Sequence, residues 1–146
     1  MLDLILAILH HVAVFGLVAA LAMEGAMLRA PGIDPARLVR LDAVFGATAV
    51  LVIAVGVSRV VWGGKGWAFY EANPFFWAKI GVFAAIGLIS ILPTLAFFRW
   101  RRTAAGDAAF APPTDEVKRV RMWVGLEALL LVPLLVCAAA MARWPF

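Results

Sequence analysis

The stretch LDLILAILHHVAVFGLVAALAMEGAML, residues 2–28, decides the fold. It contains no lysine or arginine, and its only acids are Asp3 near one end and Glu24 near the other. A helix crosses a bilayer with roughly 20 predominantly apolar residues, and this run is long enough. It also holds the chain's only two histidines, His10 and His11, in the middle of apolar sequence.

Working outward, three more runs of the same kind follow, at 41–62, 75–98 and 121–143. Hydrophobic residues make up 65% of the chain and charged residues 15%, with a mean hydropathy of +0.98. Soluble domains average roughly 45–50% apolar and about 25% charged. The expectation is one domain over residues 1–146, all-α, an integral membrane four-helix bundle. Helices satisfy their own backbone polar groups in lipid, so a bundle is the natural solution.

Residues 2–28 do not read as a cleavable signal, which would begin with basic residues and end at a small-residue site. Here the first charge is Asp3 and the first basic residue is Arg29. The single cysteine, Cys137, lies in the last span and excludes an internal disulfide. It is expected to be a small packing residue.

The net charge is +4. In a soluble protein this would raise nucleic acid as a partner, but here the basic residues flank spans and report topology. Arg29, Arg37 and Arg40 lie in the first connection. Arg99, Arg101, Arg102, Lys118, Arg119 and Arg121 surround the third. The positive-inside rule puts both connections in the cytoplasm and both termini on the non-cytoplasmic side. The expected location is a bacterial inner membrane, with the lipid bilayer as the first partner.

The connections carry their own signals. Pro31, Gly32 and Pro35 break the chain after the first span, Asp34 can cap a turn, and PARLVRLD is expected to lie along the membrane surface. Asn73 followed by Pro74 reads as N-cap and first-turn proline of the third span. Trp62, Trp67, Tyr70 and Trp77 are expected to form an aromatic belt at the interface.

Ionisable residues inside spans are costly and face the bundle interior or an interface. Asp3, His10, Leu17 and Glu24 recur at seven-residue spacing, so one stripe holds them and His10 is expected to face inward. An imidazole there can ligate haem iron or transfer a proton; the plain alternative is a histidine hydrogen-bonded between helices. Arg59 and Lys79 each lie about one turn inside the same outer interface, where snorkelling is the plain reading. Together with His10 they favour an anionic ligand, such as tetrapyrrole carboxylates or a lipid phosphate. Glu24, Asp42 and Glu127 belong to the cytoplasmic half. They are expected to pair with Arg29, Arg40 or Arg121, with proton transfer as the functional alternative for Glu24 and Glu127. Thr48, Ser90 and Thr94 are expected to bond to backbone or across helices.

Two adjacent histidines cannot clamp a haem iron from different helices of one chain. A haem would need His10 plus Lys79, a ligand from a second subunit, or an open iron face.

Three features carry a resemblance over nearly the whole chain: LHHVAVFGLVAALAMEGAMLR, NPFFWAKIG followed by SILPT, and the closing helix. They resemble a bacterial family of small membrane proteins without assigned activity, which implies four spans. A more remote resemblance is to the HemJ-type protoporphyrinogen oxidases. It implies haem binding, with His10 or His11 in the role of the first-helix histidine and Lys79, in WAKI, in that of the lysine. The double histidine departs from that pattern.

The resulting expectation is a b-type haem or related tetrapyrrole in the outer half of the bundle, held by His10, His11, Arg59 and Lys79, for electron transfer or porphyrin oxidation. The alternative is a non-catalytic accessory or assembly subunit packing against a larger membrane complex. A homodimer is compatible with either, and no catalytic residue is assigned.

Overall fold

The computed structural model describes residues 1–143. Its helices are α1 (Leu2–Met27), α2 (Pro35–Trp62), α3 (Trp67–Glu71), α4 (Pro74–Gly106) and α5 (Thr114–Arg143). Among the described residues α1, α2, α4 and α5 are long and apolar enough to cross a membrane, and no strand occurs. The fold is an all-α bundle of four long helices with one short surface helix.

Local chemistry sets the helix starts. The Asp34 carboxylate accepts from the amides of Ala36 at 2.9 Å and Arg37 at 3.2 Å, and Pro35 opens α2. Asn73 caps α4 the same way, accepting from the Phe75 amide at 3.0 Å ahead of Pro74. Its side-chain amide also donates to the Met141 carbonyl at 3.2 Å, tying the start of α4 to the end of α5.

Three helices outrun the spans read from hydropathy. α2 begins at Pro35 and absorbs PARLVRLD, so that segment is the first turns of a continuous helix and not a separate surface piece. α4 continues past 98 to Gly106, and α5 starts at Thr114, before 121. Hydropathy marks the part that meets lipid. The backbone ladder runs on wherever caps and packing satisfy it.

The extended α4–α5 hairpin closes the arginine-rich end of the core. Trp100 is 1% exposed, packs against Phe97 with ring centroids 5.8 Å apart, and donates its indole N–H to Glu116 at 2.9 Å. Arg99 pairs with the other oxygen of Glu116. Leu28 and Leu38, which flank the α1–α2 connection, join the same core. An Arg121 N–H donates to the Leu28 carbonyl at 3.0 Å and fixes that connection to α5.

At the opposite end, α3 was not legible in the sequence. Gly66 takes φ 71° to turn the chain into it, a left-handed conformation that glycine adopts without a Cβ penalty. Lys65 stands 4.2 Å over the Phe69 ring. Trp67 meets Phe76 and Trp77 edge-on, and the Trp77 indole donates to the Glu71 carbonyl at 3.1 Å. Trp62, Trp67 and Trp77 are exposed as an interfacial belt requires, but Tyr70 turns inward and is buried against Phe76.

The bundle is two antiparallel hairpins. α1 packs along α2 and α4 along α5; the hairpins meet where α2 touches α4 and α1 touches α5. Among the described residues the backbones of the diagonal pair α1 and α4 stay apart. Ala13, Leu17, Ala20 and Leu21 of α1 fill the core with Phe45, Ile86, Phe97 and Val124. Phe15, Val50, Leu88 and Leu129 point outward, the disposition a lipid solvent favours.

Candidate functional site: two polar clusters in the bundle

The first cluster lies at the end that carries both termini. α1 turns His10 toward α2, and Gly56 makes the room: a Cβ there would sit 3.4 Å from the imidazole Cε1. The ring is half-buried and its Nδ1, though buried, forms no hydrogen bond among the described residues. His11, about 100° further round the helix, is exposed, and its Nδ1 is 2.6 Å from the Ala7 carbonyl one turn back. Around His10 stand the Val52 backbone and the side chains of Arg59 from α2 and Lys79 from α4. Arg59 and Lys79 also act on each other electrostatically. Each is partly buried, and neither forms an ion pair among the described residues; the Arg59 Nε has no partner. Asp3 comes up beside Gly63 at the end of α2 but does not bridge to Arg59.

The second cluster lies toward the arginine-rich end. Glu24 of α1, Asp42 of α2 and Glu127 of α5 face one another closely enough to interact electrostatically. They are 2%, 9% and 1% exposed. Thr94 of α4 completes the set by donating its hydroxyl to Asp42 at 2.8 Å. One oxygen each of Glu24 and Glu127 is buried without a hydrogen bond.

The expected pairing of these acids with arginine does not form. Arg29 donates to the Gly25 carbonyl at 2.6 Å, Arg40 to that of Ala36 at 3.3 Å, and Arg121 to that of Leu28. A helix C-terminus leaves carbonyls unsatisfied, and Arg29 and Arg121 are held at the end of α1 by them, whereas Arg40 bonds back one turn within the start of α2. Among the described residues the ion pairs are Arg99 with Glu116 and Lys118 with Asp115. That the three acids converge is not visible from any one span taken alone. The available signal was depth: each lies within about two turns of the same end of its span.

The other hydroxyls behave as expected. Thr48 donates within its own helix to Val44 and Phe45, and Ser90 to Gly87. Among the described residues no three His, Cys, Asp or Glu side chains are placed to hold a metal ion.

A cleft of about 320 Å³ opens between α2 and α4. Leu17, Phe45, Phe83 and Ile86 form its apolar walls, and Asp42, Thr94 and Ser90 are its polar lining residues.

Four membrane-crossing helices with two separated polar clusters define a multi-pass membrane bundle. The chain belongs to the family described as "Predicted membrane protein (DUF2214)", whose model matches residues 2–144. No curated protein and no solved structure matches the chain.

Proposed function

We propose that this membrane protein binds an anionic tetrapyrrole, a b-type haem or a related porphyrin, at the end of the bundle that carries the termini. One observation carries the reading. His10, Arg59 and Lys79 come from three different helices, and among the described residues no carboxylate pairs with either cation. Unbalanced positive charge in a low-dielectric site is costly until an anion arrives. An imidazole beside it adds a ligand for iron.

The residues suit such a group in two respects. His10 Nδ1 is buried without a hydrogen bond, and Gly56 leaves the ring a place between α1 and α2. Lys79 of α4 also comes close enough to His10 of α1 to act on it electrostatically across the bundle diagonal. His10 would hold the iron, Lys79 would add a second ligand or a charge partner, and Arg59 would hold a carboxylate. A bound haem or porphyrin would supply one-electron or ring-oxidation chemistry. The remote resemblance of His10 and Lys79 to the first-helix histidine and later-helix lysine of the HemJ-type proteins implies the same assignment. His11 faces away from this site and is open to a second subunit.

Titration of the purified protein with haemin tests the proposal. Saturable binding at one haem per chain or per dimer is expected, weakened at least tenfold by His10→Ala and little changed by His11→Ala. Equal binding by wild type and His10→Ala would overturn it. A protein that binds no haem and co-purifies with other membrane subunits would favour the accessory role instead.

A further inference from the structure

The inner cluster is a different kind of place from the histidine site. It gathers three carboxylates from three helices, with no cation paired to them among the described residues. The nearest arginines are committed to backbone carbonyls at the end of α1. Here Glu24 and Glu127 are 98–99% buried by their 2% and 1% exposures, and each keeps an oxygen without a partner. Buried acceptors left empty are expensive, and a buried carboxylate that does ionise is stabilised by a cation beside it.

A route reaches it from the side. The α2–α4 cleft runs inward between Gly46 and Gly87, both of which have open space where a Cβ would be. Its polar lining residues are Asp42, Thr94 and Ser90, and Asp42 in turn interacts electrostatically with Glu24 and Glu127. Phe45 and Phe83 line it and Phe98 stands at its rim. Aromatic faces attract cations as well as apolar groups. At about 320 Å³ the cleft is at the small end of ligand pockets.

Apolar walls, aromatic rings and one terminal carboxylate specify the occupant. We propose that the α2–α4 cleft is a binding site for a lipophilic monocation, a hydrophobic amine or onium compound, whose charge sits on Asp42 before the Glu24–Glu127 pair and whose body fills the cleft. A metal ion does not meet the description, because among the described residues no three ligating side chains converge closely enough. The ligand enters from the lipid, where the cleft opens, without crossing the bundle.

The test is equilibrium binding of radiolabelled tetraphenylphosphonium to the full-length protein in detergent, above the uptake of protein-free micelles. Saturable binding near one per chain is expected. Asp42→Asn keeps the shape and the acceptor for Thr94 but removes the charge, and should weaken binding at least tenfold. Gly87→Leu fills the cleft from a position with open space, so folding should be retained, and should weaken binding to a similar extent. Leu88→Ala, on the lipid face beside it, should leave binding unchanged. Gel filtration reports whether each variant is folded. Absence of saturable binding by the wild type, or wild-type binding by a folded Asp42→Asn or Gly87→Leu protein, would overturn the proposal.

Discussion

Thr94 on α4 donates its hydroxyl to Asp42 on α2 at 2.8 Å, and this bond joins the two helical hairpins beside the α2–α4 cleft. Interhelical hydrogen bonds in membranes average about 0.6 kcal/mol and reach about 1.7. Thr94→Val should therefore destabilise the protein by about 1 kcal/mol, measured by denaturant unfolding in mixed micelles. Thr94→Ser keeps the donor and should cost less than half as much. A larger loss in Thr94→Ser than in Thr94→Val would show that the methyl group, and not the bond, matters there.

Asn73 serves two helices at once, capping α4 through Phe75 and holding α5 through Met141. It is fully buried. Removal of an N-cap costs typically about 1 kcal/mol, and the second bond adds to it. Asn73→Ala should lower stability by about 1–2 kcal/mol. It should also speed amide exchange in the first turn of α4. Exchange unchanged at Phe75 would contradict the capping role.

Gly56 is the floor on which His10 rests, 3.4 Å from the imidazole by the position of an added Cβ. Overpacking a tight seam costs about 1–3 kcal/mol. Gly56→Leu should move the ring off α2, destabilise the bundle by an amount in that range, and reduce haemin binding in parallel with His10→Ala. Gly56→Ala, at a distance the ring can yield to, should be mild. If Gly56→Leu binds haemin as the wild type does, the ring is not held by that seam.

The placement of arginines makes orientation testable. In a Cys137→Ala background, Lys65→Cys, on the loop leading into α3, should react with a membrane-impermeant maleimide in intact cells. Ala108→Cys, between α4 and α5, should react only after lysis. The reverse pattern would invert the topology drawn from the positive-inside rule.

Much of the fold could be read from residues because membrane burial is a one-dimensional signal. The run around His10 and His11 is apolar for long enough to be a span, and Asp34–Pro35 and Asn73–Pro74 announce helix starts whatever they pack against. The extensions of α4 and α5 were not legible. They depend on Trp100 finding Glu116 across the hairpin, which is a tertiary fact. The inward turn of His10 followed from its seven-residue stripe with Asp3, Leu17 and Glu24. The inner cluster did not follow from any single helix. Each acid has an arginine close by in sequence, and only the assembled bundle shows that Arg29 and Arg121 spend their donors on the carbonyls of Gly25 and Leu28. α3 is too short, and its WAFYE sequence too apolar, to stand out from an interfacial loop.

The most direct test of the histidine site is a reduced-minus-oxidised absorbance spectrum of the protein purified from haem-replete cells. A Soret band with the split visible bands of a b-type haem, present in wild type and lost in a folded His10→Ala protein, is the expected result. A colourless wild-type protein, or the same spectrum in both, would contradict it.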